Sequence, residues 1–187
     1  MKTWFIRYRD DLPVLPQELV DEAMEAPNGQ NIRELQEKYG TRNDPGEQNH
    51  CICAYSNIPK LRYWFGRKVK PLLSYQEGNV FVQTIGTDVK IHKDPARRIS
   101  LNYIIDTGSD NEVRTTHYSE DKSLTVHSEV IIPHGWHEIQ TDIFHSVIDH
   151  SRKRIGLTFD LVKHYGDINT YHNPDFVAEM ISFMRTN

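Results

Sequence analysis

His92-Lys93-Asp94 puts two metal-capable side chains one residue apart, at the end of the strand-like stretch Asp88-Val89-Lys90-Ile91-His92. In extended backbone, residues i and i+2 leave the same face, with α-carbons roughly 6.5 to 7 Å apart. An imidazole nitrogen and a carboxylate oxygen on such a pair can converge on one ion. Two ligands do not make a site, so a third must come from elsewhere in the chain. His145 is the candidate because of the segment around it. HEIQTDIFHSVIDHSRKRIGLTFDL reads as a hairpin with Asp149-His150 at the turn. In that register Val147 faces Arg152 and His145 faces Arg154, and directly opposed residues share a face. Alternation then puts Arg154, Gly156 and Thr158 on the side of the metal and Ile155, Leu157 and Phe159 on the other. A slip of one residue would reverse these assignments. Arg152 has the same parity as Arg154 and is the alternative cation for that face.

Two histidines and one carboxylate on one side of an ion form the facial triad of non-haem Fe(II) chemistry. Such a centre leaves coordination sites for a bidentate 2-oxo acid and for O2. The far carboxylate of a 2-oxo diacid then calls for a planar cation, which arginine supplies through a bidentate, charge-assisted pair. His92-Lys93-Asp94, His145 about fifty residues on, and Arg154 together resemble the HxD…H…R signature of 2-oxoglutarate/Fe(II)-dependent dioxygenases. Arg98-Ile99-Ser100-Leu101-Asn102-Tyr103 resembles the arginine-plus-LN strand of small members. Thr141-Asp142-Ile143-Phe144-His145-Ser146-Val147 resembles the segment around their distal histidine. The resemblance covers residues 80 to 162. It implies a double-stranded β-helix, a jelly-roll variant of the cupin type, with His92, Asp94 and His145 ligating iron. It also implies that Arg154 holds the cosubstrate's C5 carboxylate and makes Asn102 a candidate contact. Where several members carry serine two residues past the arginine, this chain has Gly156. The implied activity is hydroxylation of a C–H bond in a peptidyl side chain or a small metabolite. The alternative is a cupin-like protein that binds a metal or ligand and does no oxidation.

Other histidines compete for these roles. His134-Gly135-Trp136-His137 has the wrong parity for a strand pair and contains glycine, so a loop is expected there. His117 and His127 fall on or near strands and could line a channel, with solvent exposure as the ordinary alternative. His150 sits at the proposed turn tip. Arg98 could bind substrate or pair with an acid. His50-Cys51-Ile52-Cys53 hints at a zinc knuckle, but a second ligand pair is not apparent nearby, and packing is the simpler reading.

These residues need elements to position them. Residues 79–162 carry repeated strand patterns: NVFVQTIG, DVKIH, RISLNYIID, SLTVHSEVIIP, HEIQTDIFHSVI and RIGLTFDLV. Short strands separated by turn signals, such as TGSDNE after Ile105, argue for antiparallel sheets in a sandwich or barrel. Before them, Pro16 opens a helix that closes near Asn28-Gly29, and NIRELQEKYG is a second helix candidate. Residues 59–75 leave helix and core segment open, with Pro71 as a breaker. A helix is expected over 174–186. The whole is mainly β with flanking helices. At 187 residues a single domain over 1–187 is expected, with a mixed helical part over 1–78.

Composition bounds the partners. The net charge of −4 supplies no basic field for nucleic acid. No apolar run is long enough to span a bilayer, and no signal peptide is read at the amino terminus. Two cysteines do not build a disulfide framework, so a cytoplasmic setting is expected.

Overall fold

The structure, a computed structural model, describes residues 4–26, 30–31, 53–74, 79–86, 88–94, 99–110, 112–148 and 151–160. In chain order the elements are β1 (Ile6–Tyr8), α1 (Gln17–Met24), β2 (Gln30–Asn31), β3 (Cys53–Ser56) and α2 (Pro59–Lys68). Then come β4 (Asn79–Ile85), β5 (Val89–His92), β6 (Ile99–Asp106), β7 (Arg114–Tyr118), β8 (Thr125–Val130), β9 (Trp136–Gln140), β10 (His145–Ile148) and β11 (Arg154–Asp160). The helix expected from residue 31, the turn at 149–150, the helix expected over 174–186, Arg98, His150, His50 and Cys51 lie outside the described residues.

The strands form two antiparallel sheets in a jelly roll. One has seven strands in the order β1-β9-β6-β11-β4-β3-β2, the other four in the order β5-β10-β7-β8. Strands β1 to β3, from the first 78 residues, extend the larger sheet at both edges.

Alternation decides what each face of the larger sheet meets. Leu101, Tyr103 and Ile105 on β6, Leu157 and Phe159 on β11, and Val80 and Val82 on β4 pack outward in one cluster with Leu19, Leu61 and Phe65 of the helices. On α1, Leu19, Val20 and Ala23 form the buried stripe at helical spacing. Segment 59–75, which periodicity left open, is helix α2 as far as Lys68. Pro59 starts it at the first turn, Leu61 and Phe65 are its buried i, i+4 pair, and Pro71 falls in the 3-10 turn that follows. Each such large apolar side chain contributes roughly 1.5–3 kcal/mol by leaving water. The core therefore sits between helices and sheet, which leaves the inner face, between the two sheets, free to carry polar groups.

One expectation is corrected. His145 and Arg154 are not neighbours in a hairpin. Strand β10 pairs with β5 and β7, whereas β11 pairs with β4 and β6 in the other sheet. The intervening chain crosses between layers and is held at the crossing. The amides of Ser151 and Arg152 both donate to the Gly108 carbonyl, at 3.0 and 2.7 Å. Likewise HEIQTDIFHSVI is two strands, not one: β9 belongs to the larger sheet and β10 to the smaller. Among the described residues, no helix is long and apolar enough to cross a membrane.

Candidate metal centre

His92 ends β5, Asp94 lies two residues beyond it, and His145 begins β10. The register sets His145 directly opposite His92, with ring centroids 4.3 Å apart. One ligand atom from each of His92, Asp94 and His145 can be chosen so that all three lie within 4.8 Å of one another. His92 Nε2 and Asp94 Oδ1 are 3.5 Å apart. The sequence-predicted trio is thus brought together, by strand pairing across the smaller sheet.

The rings are oriented by the backbone. His92 Nδ1 lies 2.8 Å from the Lys90 carbonyl, and His145 Nδ1 lies 2.9 Å from the Ile143 carbonyl. A carbonyl can only accept, so both Nδ1 atoms carry the proton and both Nε2 atoms keep the lone pair that a metal requires. The Asp94 amide donates to the Thr141 carbonyl at 2.8 Å, which fixes the residue on the loop that leaves β5. Lys93, between the ligands, turns away; its ammonium meets the Glu120 carboxylate at 2.5 and 2.6 Å and lies over the Phe144 ring. His145 is buried while the His92 and Asp94 side chains are 25% and 16% exposed, so the trio opens toward solvent on one side. Burial, then the neighbouring His92, push the His145 pKa down to about 4 against the pull of Asp94. Its imidazole is therefore neutral at physiological pH, the form that coordinates. Two imidazole nitrogens and one carboxylate oxygen on one side of an open position match the preference of Fe(II).

The face that carries the trio points at the larger sheet. Val147, two residues past His145 and on the same face, packs with Val89, Val113 and with Ile85 of the larger sheet. Ile85 is the register partner of Arg154. Arg154 therefore faces the metal ligands from the opposite layer. It is buried, 6% exposed, on the strand at the centre of the larger sheet. Arg152 is placed elsewhere. Its guanidinium bonds the Asp106 carboxylate at the rim and is half exposed, so it does not line the interior.

Gly156 has a local cause. The register of β11 against β6 shifts between Ile155, which pairs with Asp106, and Gly156, which pairs with Ile104, so that β6 carries the extra residue, Ile105. A Cβ at 156 would sit 2.9 Å from the Tyr103 carbonyl oxygen. The bulge excludes any side chain there.

Beyond Gly156 the inner face is polar. Asn102, Thr158 and His137 stand in one cross-strand row with Tyr8 and Phe81. Ser100 Oγ donates to Asn102 Oδ1 at 3.1 Å, so the Thr158 hydroxyl, also at 3.1 Å, donates to Ser100. Asn102, the candidate contact, is buried on this wall.

Two buried histidines take places the sequence left open: His117, read as a possible channel residue, and His137, expected in a loop. His117 lies directly opposite His145 on its other side, in a row that runs His92, His145, His117, His127 across the smaller sheet. His117 Nε2 donates to the Gln140 carbonyl at 3.1 Å, which leaves its Nδ1 buried with no hydrogen-bond partner among the described residues. Burial pushes its pKa down. His137, expected in a loop, is the second residue of β9 and wholly buried. The turn is real but ends earlier: His134 has φ of 63° and the strand starts at Trp136. The residues after Trp136 (His, Glu, Ile, Gln) do not alternate in polarity, so the strand left no period-two signal. His137 Nε2 and Thr115 Oγ1 are also buried without hydrogen-bond partners among the described residues. Orphaned buried polar atoms carry a desolvation cost of about 1–3 kcal/mol each, which a polar ligand between the sheets would relieve.

No protein-family model matches the sequence, and no curated protein matches it. Solved structures do. An oxidoreductase of the 2OG-Fe(II) oxygenase family from Burkholderia pseudomallei is 10% identical, with 76% of each chain covered and a TM-score of 0.50. A prolyl-4-hydroxylase from Pseudomonas putida is 14% identical over 82% of this chain and 91% of that one, with a TM-score of 0.43. Procruciferin, an 11S globulin from Brassica napus, is 11% identical with a TM-score of 0.37. The match covers 67% of this chain and spans 28% of the globulin's length. At such identities the likeness is one of fold, and the fold is the jelly roll.

Proposed function

We propose that the protein is an Fe(II)- and 2-oxoglutarate-dependent oxygenase that hydroxylates a C–H bond of a peptidyl side chain or small metabolite. The observation that carries this reading is the opposition of two half-sites: a His92–Asp94–His145 trio on one sheet and a buried arginine, Arg154, on the sheet that faces it. His92, Asp94 and His145 would hold the iron through their Nε2 and carboxylate atoms. Arg154 would take the distal carboxylate, with Asn102 and Thr158 on the same wall. Iron held there, with 2-oxoglutarate and O2, would supply the oxidising chemistry, one oxygen atom going to succinate with loss of carbon dioxide and the other to the substrate C–H bond.

The chain's own residues supply position and exclusion. The Lys90 and Ile143 carbonyls hold the two rings in the ligating tautomer. The valine and isoleucine cluster of Ile85, Val89, Val113 and Val147 closes one end of the interior to water. The partly exposed side of His92 and Asp94 is where substrate would approach. Anaerobic addition of 2-oxoglutarate to the Fe(II)-loaded protein should give a weak visible charge-transfer absorption. Incubation with iron, ascorbate, O2 and 2-oxoglutarate should release succinate even without substrate. A folded, iron-loaded protein that does neither is a binding protein with an oxygenase-like barrel, and the proposal fails.

A further inference from the structure

The chain from Gln140 to His145 leaves the larger sheet at the end of β9 and enters the smaller one at the start of β10. Its carbonyls hold the metal ligands. Thr141 accepts the Asp94 amide at 2.8 Å, and Ile143 orients the His145 ring. The Gln140 peptide, where the crossing begins, is clamped on both sides. Its amide donates to the Phe5 carbonyl at 3.0 Å, and its carbonyl accepts from His117 Nε2 at 3.1 Å. A carbonyl only accepts, so the His117 proton sits on Nε2. His117 belongs to β7 of the smaller sheet, so its side chain ties the two sheets together at the point of crossing. The ring is fully buried, against Phe5 at 5.1 Å and His145 at 6.0 Å between centroids. Its Nδ1 has no hydrogen-bond partner among the described residues. One satisfied nitrogen and one orphaned nitrogen oppose each other energetically. The imidazole thus contributes little net to the fold, and an apolar side chain would pack as well. What an apolar side chain could not supply is the directed N–H.

We infer that His117 is a positioning residue for the metal centre: its Nε2–H holds the Gln140 carbonyl and so sets the path of the crossing that places Asp94 beside His92 and His145. This rests on the metal trio of the proposed function. The two histidines are already aligned by strand pairing, since His145 lies opposite His92 in the ladder. Asp94 lies two residues past the end of β5, so the Thr141 carbonyl, rather than a ladder, sets its backbone. Gln140 is the neighbour of Thr141. Releasing the Gln140 carbonyl frees the peptide that carries the Asp94 anchor. A displacement of about 1 Å is enough to loosen a site built from three ligands. The carboxylate is the ligand that His117 governs, and it does so without touching the metal.

The test titrates the full chain with Co(II), whose visible bands report its coordination, in wild type, His117→Leu and His117→Gln. Leucine fills the space without a donor, whereas glutamine carries an amide N–H at about the reach of Nε2. His117→Leu should bind Co(II) about ten to a hundred times more weakly, the usual loss when a group that orients a ligand is removed. Its Co(II) bands should differ from those of wild type, while the urea midpoint of the metal-free protein stays where it was. His117→Gln should recover most of the affinity and the wild-type bands. A merely structural role would lower the urea midpoint and leave Co(II) affinity alone. That result, or wild-type affinity and bands in His117→Leu, overturns the inference. If the leucine variant does not fold, His117→Asn replaces it, since its shorter amide falls short of the Gln140 carbonyl. Weak Co(II) binding in the asparagine variant with recovery in the glutamine variant supports the inference, and equal affinity in the two overturns it. A wild type that binds no Co(II) overturns both the inference and the metal centre beneath it. A wild type that binds Co(II) as expected but releases no succinate when loaded with iron loses the proposed function, and the role of His117 stands.

Discussion

His145 lies squarely opposite His92 across adjacent antiparallel strands, and each ring is held by the carbonyl two residues before it. Neither imidazole needs to rotate far to share an ion with Asp94. His92→Ala and Asp94→Ala should therefore each abolish iron binding, read by calorimetry under anaerobic conditions. The metal-free fold should survive both, with stability unchanged or slightly raised, since clustered ligand groups strain the empty site. Full iron affinity in either variant would remove the trio as the metal centre.

The separation of the two arginines is equally testable. Arg154→Lys keeps a charge but loses the planar fork. A charge-assisted bond contributes roughly 1.5–3 kcal/mol, so 2-oxoglutarate should bind about ten to a hundred times more weakly, with iron affinity unmoved. Arg152→Lys should change neither, because its carboxylate partner is Asp106 at the rim. As an exposed pair, Arg152–Asp106 should contribute little to stability. Cosubstrate loss on Arg152→Lys with none on Arg154→Lys would contradict the placement of both.

Two glycines should respond with opposite signs to the same change. Gly156→Ala drives a methyl against the Tyr103 carbonyl at 2.9 Å, and backbone must move. A cost of about 1–3 kcal/mol is expected, seen as a lower urea midpoint. Gly66 lies in helix α2 with nothing within 4 Å of a built Cβ. Gly66→Ala should add about 0.5–1 kcal/mol of stability through helix propensity and so raise the midpoint. Equal effects at the two sites would mean that the bulge at Gly156 is absent.

Acid should unfold the metal-free protein through its buried imidazoles. Burial, then Arg154, lower the His137 pKa from 6.5 to about 3. Between those values the unfolded chain binds a proton that the folded chain refuses. The stabilisation is complete above pH 6.5 and is lost as the pH falls toward 3. Urea midpoints at pH 7.5 and 5.0 should drop for wild type and drop less for His137→Gln. An identical drop in both would show that His137 is not excluded from protonation.

The parity of His92 and Asp94 was legible because a strand repeats every two residues, whatever it pairs with. The same rule separated Arg154, Gly156 and Thr158 from Ile155, Leu157 and Phe159 correctly. Pairing was not legible. Successive strands usually pair, and that habit suggested a hairpin for β10 and β11. The jelly roll breaks the habit at this point, so His145 and Arg154 lie on different sheets. The burial of His117 and His137 was obscure for a related reason. Their importance comes from burial on inner faces, and burial depends on which sheet covers which. Gly156 looked like a missing contact, whereas the bulge against Tyr103 accounts for it.

Strand β11 comes last among the described strands, yet it sits in the middle of the larger sheet, with β6 on one side and β4 on the other. Until it arrives, β4 and β6 each present a bare edge, and the arginine half of the pocket does not exist. A chain emerging from the ribosome can pair β7 with β8 early, but it cannot assemble the interior until residues 154–160 have been made. Folding of the larger sheet is thus a late event dominated by contacts distant in sequence, slow by nature and exposed to edge-to-edge association while it waits. A chain stopped before Arg154 should collect as aggregate, whereas one carrying point changes in the metal ligands should stay soluble.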